Sequence, residues 1–181
     1  DRLQLDLPYA QEDVIRALAA VAKNLVVVNI SGSPVSMPWA DVAGAIVQGW
    51  YGGTESGNAL ADVLTGKVNP SGRMPFTVPF KYEDGPIKTV RQYPGIKEEN
   101  DEYWQTHYDE GVYIGYRWYA TQEIPVQWPF GHGLSYTTFE YGQAKAGKAS
   151  MTADGTMTIT VDVKNTGDRE GAEVVQLYIA D

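Results

Sequence analysis

The heptapeptide Tyr51-Gly52-Gly53-Thr54-Glu55-Ser56-Gly57 places a carboxylate among glycines just ahead of a helix-forming run. A glycine-rich turn at a helix start can cradle an anion with its backbone N–H groups. This one is neither a Walker motif nor a G-x-G-x-x-G fingerprint, and it lacks the partner lysine. A plain strand-to-helix turn is the simpler role. Glu55 has two readings: a carboxylate steadied by the helix dipole, or a ligand-facing group at a sheet edge. His107 and His132 are the only histidines. No HExxH-type spacing exists, so no metal site is expected. His132 stands between Gly131 and Gly133 and reads as structural, hydrogen-bonded to backbone. No G-x-S-x-G elbow supports a hydrolase triad. Asp109 and Glu110 are adjacent carboxylates, and Arg117 is an expected ion-pair partner for one of them. Asn29-Ile30-Ser31 matches the glycosylation pattern but closes a run that reads as a buried strand.

These residues need elements to position them. Pro8–Lys23 reads as a helix, with Val14, Ile15, Leu18, Ala19 and Ala22 on one face and Gln11, Glu12 and Asp13 early. Leu25–Ile30 is a short unbroken apolar run, as in a parallel strand buried on both faces. Pro38 suits the first turn of a short helix over "PWADVAG". Ala45–Trp50 is a second apolar strand, and "NALADVLTG" is a helix ended by Gly66. Helix and strand alternate with short links, which predicts an α/β layer with parallel strands. The turns after both strands carry Gly and Ser and belong at the carboxyl edge of the sheet, where ligands usually bind.

From Asn69 to Gly115 the prolines, charges and weak periodicity predict a long ordered loop or wrapping segment, with a poorly ordered insertion around Lys81–Asn100 as the alternative. Tyr108–Tyr119, "YDEGVYIGYRWY", reads as an aromatic segment packed over the α/β layer. After Tyr136 the pattern changes. In "TMTITVDV" Met157, Ile159, Val161 and Val163 alternate with polar residues, which predicts a strand with one buried face. "KNTGDREG" is a turn, and "AEVVQLYIA" reads as a further strand. Two antiparallel strands do not stand alone in water, so this is the start of a larger β-sandwich. Pro129–Tyr141, "PFGHGLSYTTFEY", joins the two layouts; its aromatic rings predict an ordered joint.

The chain has 181 residues, 43% hydrophobic, and a net charge of −9. An acidic balance with a pI near 4.7 argues against nucleic acid as a partner. There is no cysteine, hence no disulfide framework. No run of about 18 apolar residues spans a membrane. Twelve tyrosines and five tryptophans suit sugar recognition as well as ordinary β-rich packing. Both ends read as cut from a longer polypeptide.

The segments "DRLQLDLPYAQ", "VVVNISGSPVSMPW", "AIVQGWYGGTESGNALADVLTGKVNPSGRMPFTVP", "YDEGVYIGYRWY" and "WPFGHGLSYTTFEY", taken in this order, resemble glycoside hydrolase family 3, the β-glucosidases and β-xylosidases. They cover nearly all of the chain apart from the stretch Lys81–Gln105. The resemblance implies an α/β sandwich layer followed by the start of an all-β fibronectin III-like sandwich. Residues 1–119 would be the C-terminal part of the α/β sandwich domain, 120–138 an interdomain joint, and 139–181 an incomplete fibronectin III-like domain. An N-terminal barrel would precede them. It further implies a retaining glycosidase acting on an oligosaccharide or glycoside through two carboxylates. The nucleophilic aspartate would lie on the barrel. The acid/base glutamate would lie just upstream of the pair Asp1-Arg2, which leads to Leu7-Pro8. No catalytic residue is then expected within the chain, and no cofactor or metal is implied. Arg2 and Glu55 are the candidate substrate-binding residues. The turn at Tyr51–Gly57 departs from the family's Pro-Gly-Gln-Glu-Gly, and only Gly53 and Glu55 keep correspondence.

Two other classes remain open at this level: a non-catalytic carbohydrate-binding or adhesion module, and a doubly wound ligand- or nucleotide-binding domain. A periplasmic or secreted setting is favoured over a cytoplasmic one, and a homo-oligomer is compatible with the sequence.

Overall fold

The apolar run Leu25–Ile30 and the run beginning at Ala45 form adjacent parallel strands in the computed structural model, which describes residues 4–179. Strand β1 (Val26–Asn29) pairs with β2 (Ala45–Gln48), Val27 opposite Ile46 and Asn29 opposite Gln48. Helix α1 (Gln11–Ala19) precedes them. It is shorter than the expected Pro8–Lys23, because Tyr9 and Ala10 stand at φ 57° and 56°, outside the helical region. Its apolar face is only partly covered: Ile15 and Ala19 are half-buried, whereas Val14 and Leu18 are exposed. The helix expected at "PWADVAG" is a single 3₁₀ turn, Ala40–Val42, closed when Ala43 enters extended backbone. Helix α2 (Ser56–Leu64) forms as expected and ends at Gly66, whose φ of 76° favours glycine.

The chain divides into two units. One runs up to Ser56 and resumes over Met74–His132; the other comprises Gly57–Arg73 and Gly133 onward. In the first unit Val35, Met37 and Trp39 form the buried core, packed by Leu7, Ile15, Val27, Ala43, Ile46 and Trp128. This buried stretch needs partners for its backbone. Ser36 N–H donates to the Leu5 carbonyl at 2.9 Å. Gln127 serves Met37 from the other side: its Oε1 accepts from Met37 N–H at 2.9 Å and its Nε2 donates to the Met37 carbonyl at 2.6 Å. Gln127 lies in β4 (Val126–Trp128), which pairs antiparallel with β3 (Val78–Pro79). Helix α3 (Tyr116–Thr121) comes before β4 and buries Tyr119.

In the second unit, β5 (Phe139–Tyr141) pairs antiparallel with β8 (Val163–Asn165), and β6 (Lys145–Ala146) with β7 (Ile159–Thr160). The single strand expected over "TMTITVDV" is thus two short strands. Its expected buried face is not one either, since Ile159 and Val163 are exposed. "AEVVQLYIA" carries no strand among the described residues, because nothing there offers it a ladder. Asn69 organises this unit. Its Oδ1 accepts from Ser135 Oγ (3.0 Å) and Tyr136 N–H (2.8 Å), and its Nδ2 donates to the Glu170 carbonyl (3.0 Å). Tyr136 OH donates to the Val63 carbonyl at 2.9 Å, and Arg169 lies over the Tyr136 ring and donates to the Gly66 carbonyl.

Arg73 and Glu173 form a well-covered ion pair at 2.7 Å. Burial pushes the Glu173 carboxyl up. The hydrogen bonds from Arg73 and the Val174 N–H, the Arg73 charge and a bond from Tyr141 outweigh this and hold it below its ordinary value. A carboxyl with a lowered folded pKa contributes stability above its unfolded value and loses it as pH falls through the folded one. Glu173→Gln is therefore expected to cost about 1.5–3 kcal/mol at pH 7. The loss is expected to shrink as the pH drops below the ordinary glutamate range, read from urea unfolding across a pH series.

Candidate functional site

Parallel strands gather their carboxyl ends on one edge, and the turns that follow build whatever site the edge carries. Here a groove of about 1100 Å³ opens at the end of β1, with Asp6, Gln11, Asn29, Ser31, Ser33 and Tyr51 among its lining. Its floor is a buried polar cluster. Asn29 is 7% exposed; its Nδ2 donates to Gln48 Oε1 at 2.7 Å and to Ser31 Oγ at 3.3 Å. Gln48 Nε2 donates to Ser31 Oγ at 3.2 Å, and Ser31 Oγ donates to the Ser33 carbonyl at 2.9 Å. The strand register causes this, since Asn29 and Gln48 end their strands opposite each other. The same burial withdraws Asn29 from glycosylation, in line with the reading of its sequence pattern.

Two aromatic rings, Tyr51 and Trp39, belong to the lining. Trp50, outside it, stands at φ 51° and meets Phe76 edge-on at 5.2 Å. The next residue, Tyr51, is exposed, and its ring lies against Gly32: a Cβ at Gly32 would meet Tyr51 Cε2 at 2.6 Å. Trp39, at 0% exposure, also lines the groove, and its Nε1 has no acceptor among the described residues. Asp6 is the carboxylate of the lining, and its Oδ1 accepts from Ser36 Oγ at 2.7 Å. Amides, hydroxyls and rings suit a neutral polyhydroxylated ligand. Among the described residues the lining holds no histidine or lysine to act as a base beside a nucleophile.

The expected site residues are scattered. Arg2 lies outside the described residues. Glu55 is exposed in the turn before α2 and is not part of the groove lining. His132 supports a turn through its backbone, donating to the Pro129 carbonyl and accepting from Met74 N–H, and its ring stacks on Trp128 at 5.0 Å. His107 Nδ1 faces the Arg91 guanidinium at 3.0 Å, which makes it an acceptor. Asp109 pairs with Arg91 at 3.6 Å and Glu110 accepts from Gln92 at 2.9 Å. Arg117, expected to pair with one of these acids, lies over the Tyr116 ring instead. Burial, reinforced by the Asp84 charge, pushes the Tyr119 phenol up to about 12, so it stays protonated at neutral pH. Among the described residues no cluster of three His, Asp or Glu is placed to hold a metal ion, and no helix is long and apolar enough to cross a membrane. Asn29, Ser31 and Gln48 were not singled out as site residues from the sequence; their signal was the Ser/Gly-rich turn after an apolar strand.

Residues 1–116 match the profile of the Glycosyl hydrolase family 3 C-terminal domain. A β-glucosidase of Bacteroides ovatus is 47% identical over 185 residues, covering 100% of this chain and 24% of that protein. Thermostable β-glucosidase B of Acetivibrio thermocellus is 42% identical over 181 residues, covering 100% of this chain and 23% of its own length. The chain thus spans about a quarter of the curated relatives it matches. Among solved structures, a Streptomyces venezuelae β-glucosidase in complex with D-glucose superposes with a TM-score of 0.82 at 36% identity, covering 93% of this chain and 21% of that one. The Bifidobacterium adolescentis β-glucosidase gives 0.81 at 41% identity, covering 93% and 23%.

The polar floor is open to a direct test. Asn29→Ala removes the donor shared by Gln48 and Ser31; Ser31 Oγ keeps its bond from Gln48 Nε2, and the half-buried Gln48 Oε1 loses its partner. This substitution is expected to lower stability by about 1–3 kcal/mol in chemical denaturation, whereas Asn29→Asp, which keeps the shape but exchanges the donor for a charge, is expected to be no better tolerated.

Proposed function

We propose, since the chain belongs to glycosyl hydrolase family 3, that the protein carrying it removes terminal β-linked glucose or a related sugar from oligosaccharides. The observation that supports this most is the 47% identity to a β-glucosidase across the whole chain. The mechanism we infer is retaining. One carboxylate attacks the anomeric carbon, and a second protonates the leaving oxygen and then activates water. Both are assigned to parts of the full-length protein outside these residues, the nucleophilic aspartate to an N-terminal barrel and the acid/base glutamate upstream of Asp1. The chain's share is then to support that centre and contact substrate. The groove at the end of β1, with its amide floor and Tyr51 ring, has the chemistry for hydroxyl recognition. Arg2 and Glu55 are retained as candidate substrate contacts.

We assign 1–119 to an α/β sandwich domain, 120–138 to a joint and 139–181 to a fibronectin III-like domain. The parallel pair β1–β2 and the antiparallel pairs from Phe139 onward support that assignment, although Gly57–Arg73, within the first of these domains, clusters with the chain from Gly133 onward.

The test has two arms. The full-length protein is expected to hydrolyse an aryl β-glucoside, and activity confined to α-linked or N-acetylated sugars would overturn the reading. The isolated 181-residue chain is expected to be inactive, because it lacks both carboxylates. Turnover above a heat-killed control, abolished by Glu55→Gln, would place the catalytic centre within it.

A further inference from the structure

The stretch after Lys81 has little regular structure, yet it is firmly held. Gln92, buried, fixes its first half. Its Oε1 accepts from the backbone N–H groups of Lys88 (2.8 Å) and Thr89 (3.2 Å), and its Nε2 donates to the Pro86 carbonyl (3.2 Å) and Glu110 (2.9 Å). Ile96 and Gln105 then exchange both main-chain hydrogen bonds, at 2.9 and 2.7 Å, and close a hairpin. Gly95 at its base stands at φ 104°, where a Cβ would come within 2.6 Å of the Gln105 carbonyl. At the tip, Asp101 accepts from Glu98 N–H at 3.1 Å, and Lys97 Nζ reaches the Glu102 carbonyl at 3.1 Å.

The hairpin presents two rings to solvent: Tyr103 is 69% exposed and Trp104 63%. Tyr103 OH donates to the Glu102 carboxylate at 2.8 Å. We propose that Trp104, with Tyr103 next to it in the chain, offers stacking surface to neutral pyranose rings of a β-glucan or oligosaccharide chain. The proposal rests on the glycosidase reading above and names a surface through which the protein holds its substrate class. Indole and phenol rings offer large flat contact at low entropic cost, and the C–H face of a pyranose is flat and apolar. Glu98, Glu99, Asp101 and Glu102 crowd the same hairpin. Their carboxylates accept hydrogen bonds from sugar hydroxyls and repel anionic ligands, uronic-acid chains and nucleic acids included.

Native-gel retardation of the full-length protein in a neutral mixed-linkage β-glucan, run cold, reads binding without relying on turnover. Trp104→Ala is expected to weaken retardation about tenfold in apparent Kd, about 1.4 kcal/mol. Tyr103→Ala is expected to weaken it as well, and Trp104→Phe, which keeps a ring, to retain most of it. In turnover, Trp104→Ala is expected to raise KM for an oligosaccharide while aryl β-glucoside kinetics stay unchanged. Wild-type retardation by folded Trp104→Ala, as when another part of the protein covers these rings, overturns the proposal. So does equal retardation of the wild type in carboxymethylcellulose. Absence of β-glucosidase activity with ring-dependent retardation intact would instead remove the glycosidase reading and leave the stacking surface standing.

Discussion

A single carboxamide sets the geometry of the first unit. Gln127 meets Met37 with one acceptor and one donor, and so does for that residue what a neighbouring strand would do. Met37 is then free to bury its side chain between Val35 and Trp39 without stranding its own peptide groups. Ser36, with its N–H on the Leu5 carbonyl and its hydroxyl on Asp6, ties the same stretch to the segment before α1. The core is small, and three consecutive alternate residues carry it. Without the amide on one side and the Leu5 carbonyl on the other, burial of Trp39 would come with unpaired backbone, at a cost of about 1–3 kcal/mol per group.

The groove inherits its shape from that core. Trp39 is both the most deeply buried ring and part of the groove lining, so packing and binding surface share a side chain. The strand register adds the floor by bringing Asn29 beside Gln48. The resulting chemistry is rich in donors and acceptors, carries the Asp6 carboxylate and is bordered by rings, and it is less acidic than the hairpin that carries Tyr103 and Trp104. Both are compatible with sugars.

The parallel pair, the helices before and after it in sequence and the glycine that stops α2 were legible because they rest on local rules: apolar runs, dipole-matched acids and a positive φ. Helix α1 came out shorter than its apolar period, because Tyr9 and Ala10 adopt a left-handed backbone that no local pattern announces. "TMTITVDV" alternates well, yet alternation names only a candidate strand. Pairing decides, and partners were found for Ile159–Thr160 and Val163–Asn165 separately. The polar contacts were the least legible. Asp109 pairs with Arg91 and not with Arg117, and Gln92 ties Pro86 to Glu110; these depend on loop paths that spacing along the chain does not encode. The candidate site was legible as an edge with Ser/Gly turns, while Asn29 and Gln48 became visible only once the register was known.

Asn69 has one more consequence. It binds Ser135, Tyr136 and Glu170, so the second unit is assembled from two stretches of chain with Met74–His132 between them. On a ribosome, which emits sequence in order, residues 57–73 emerge long before the partners that satisfy them. That stretch must therefore wait, its polar groups on water, until the later residues clear the exit tunnel. Synthesis is slow, at roughly 5–20 residues per second, so the wait lasts seconds. The second unit is thereby committed to fold late, through long-range loop closure, and a nascent chain stalled before Ser135 has no means of completing it.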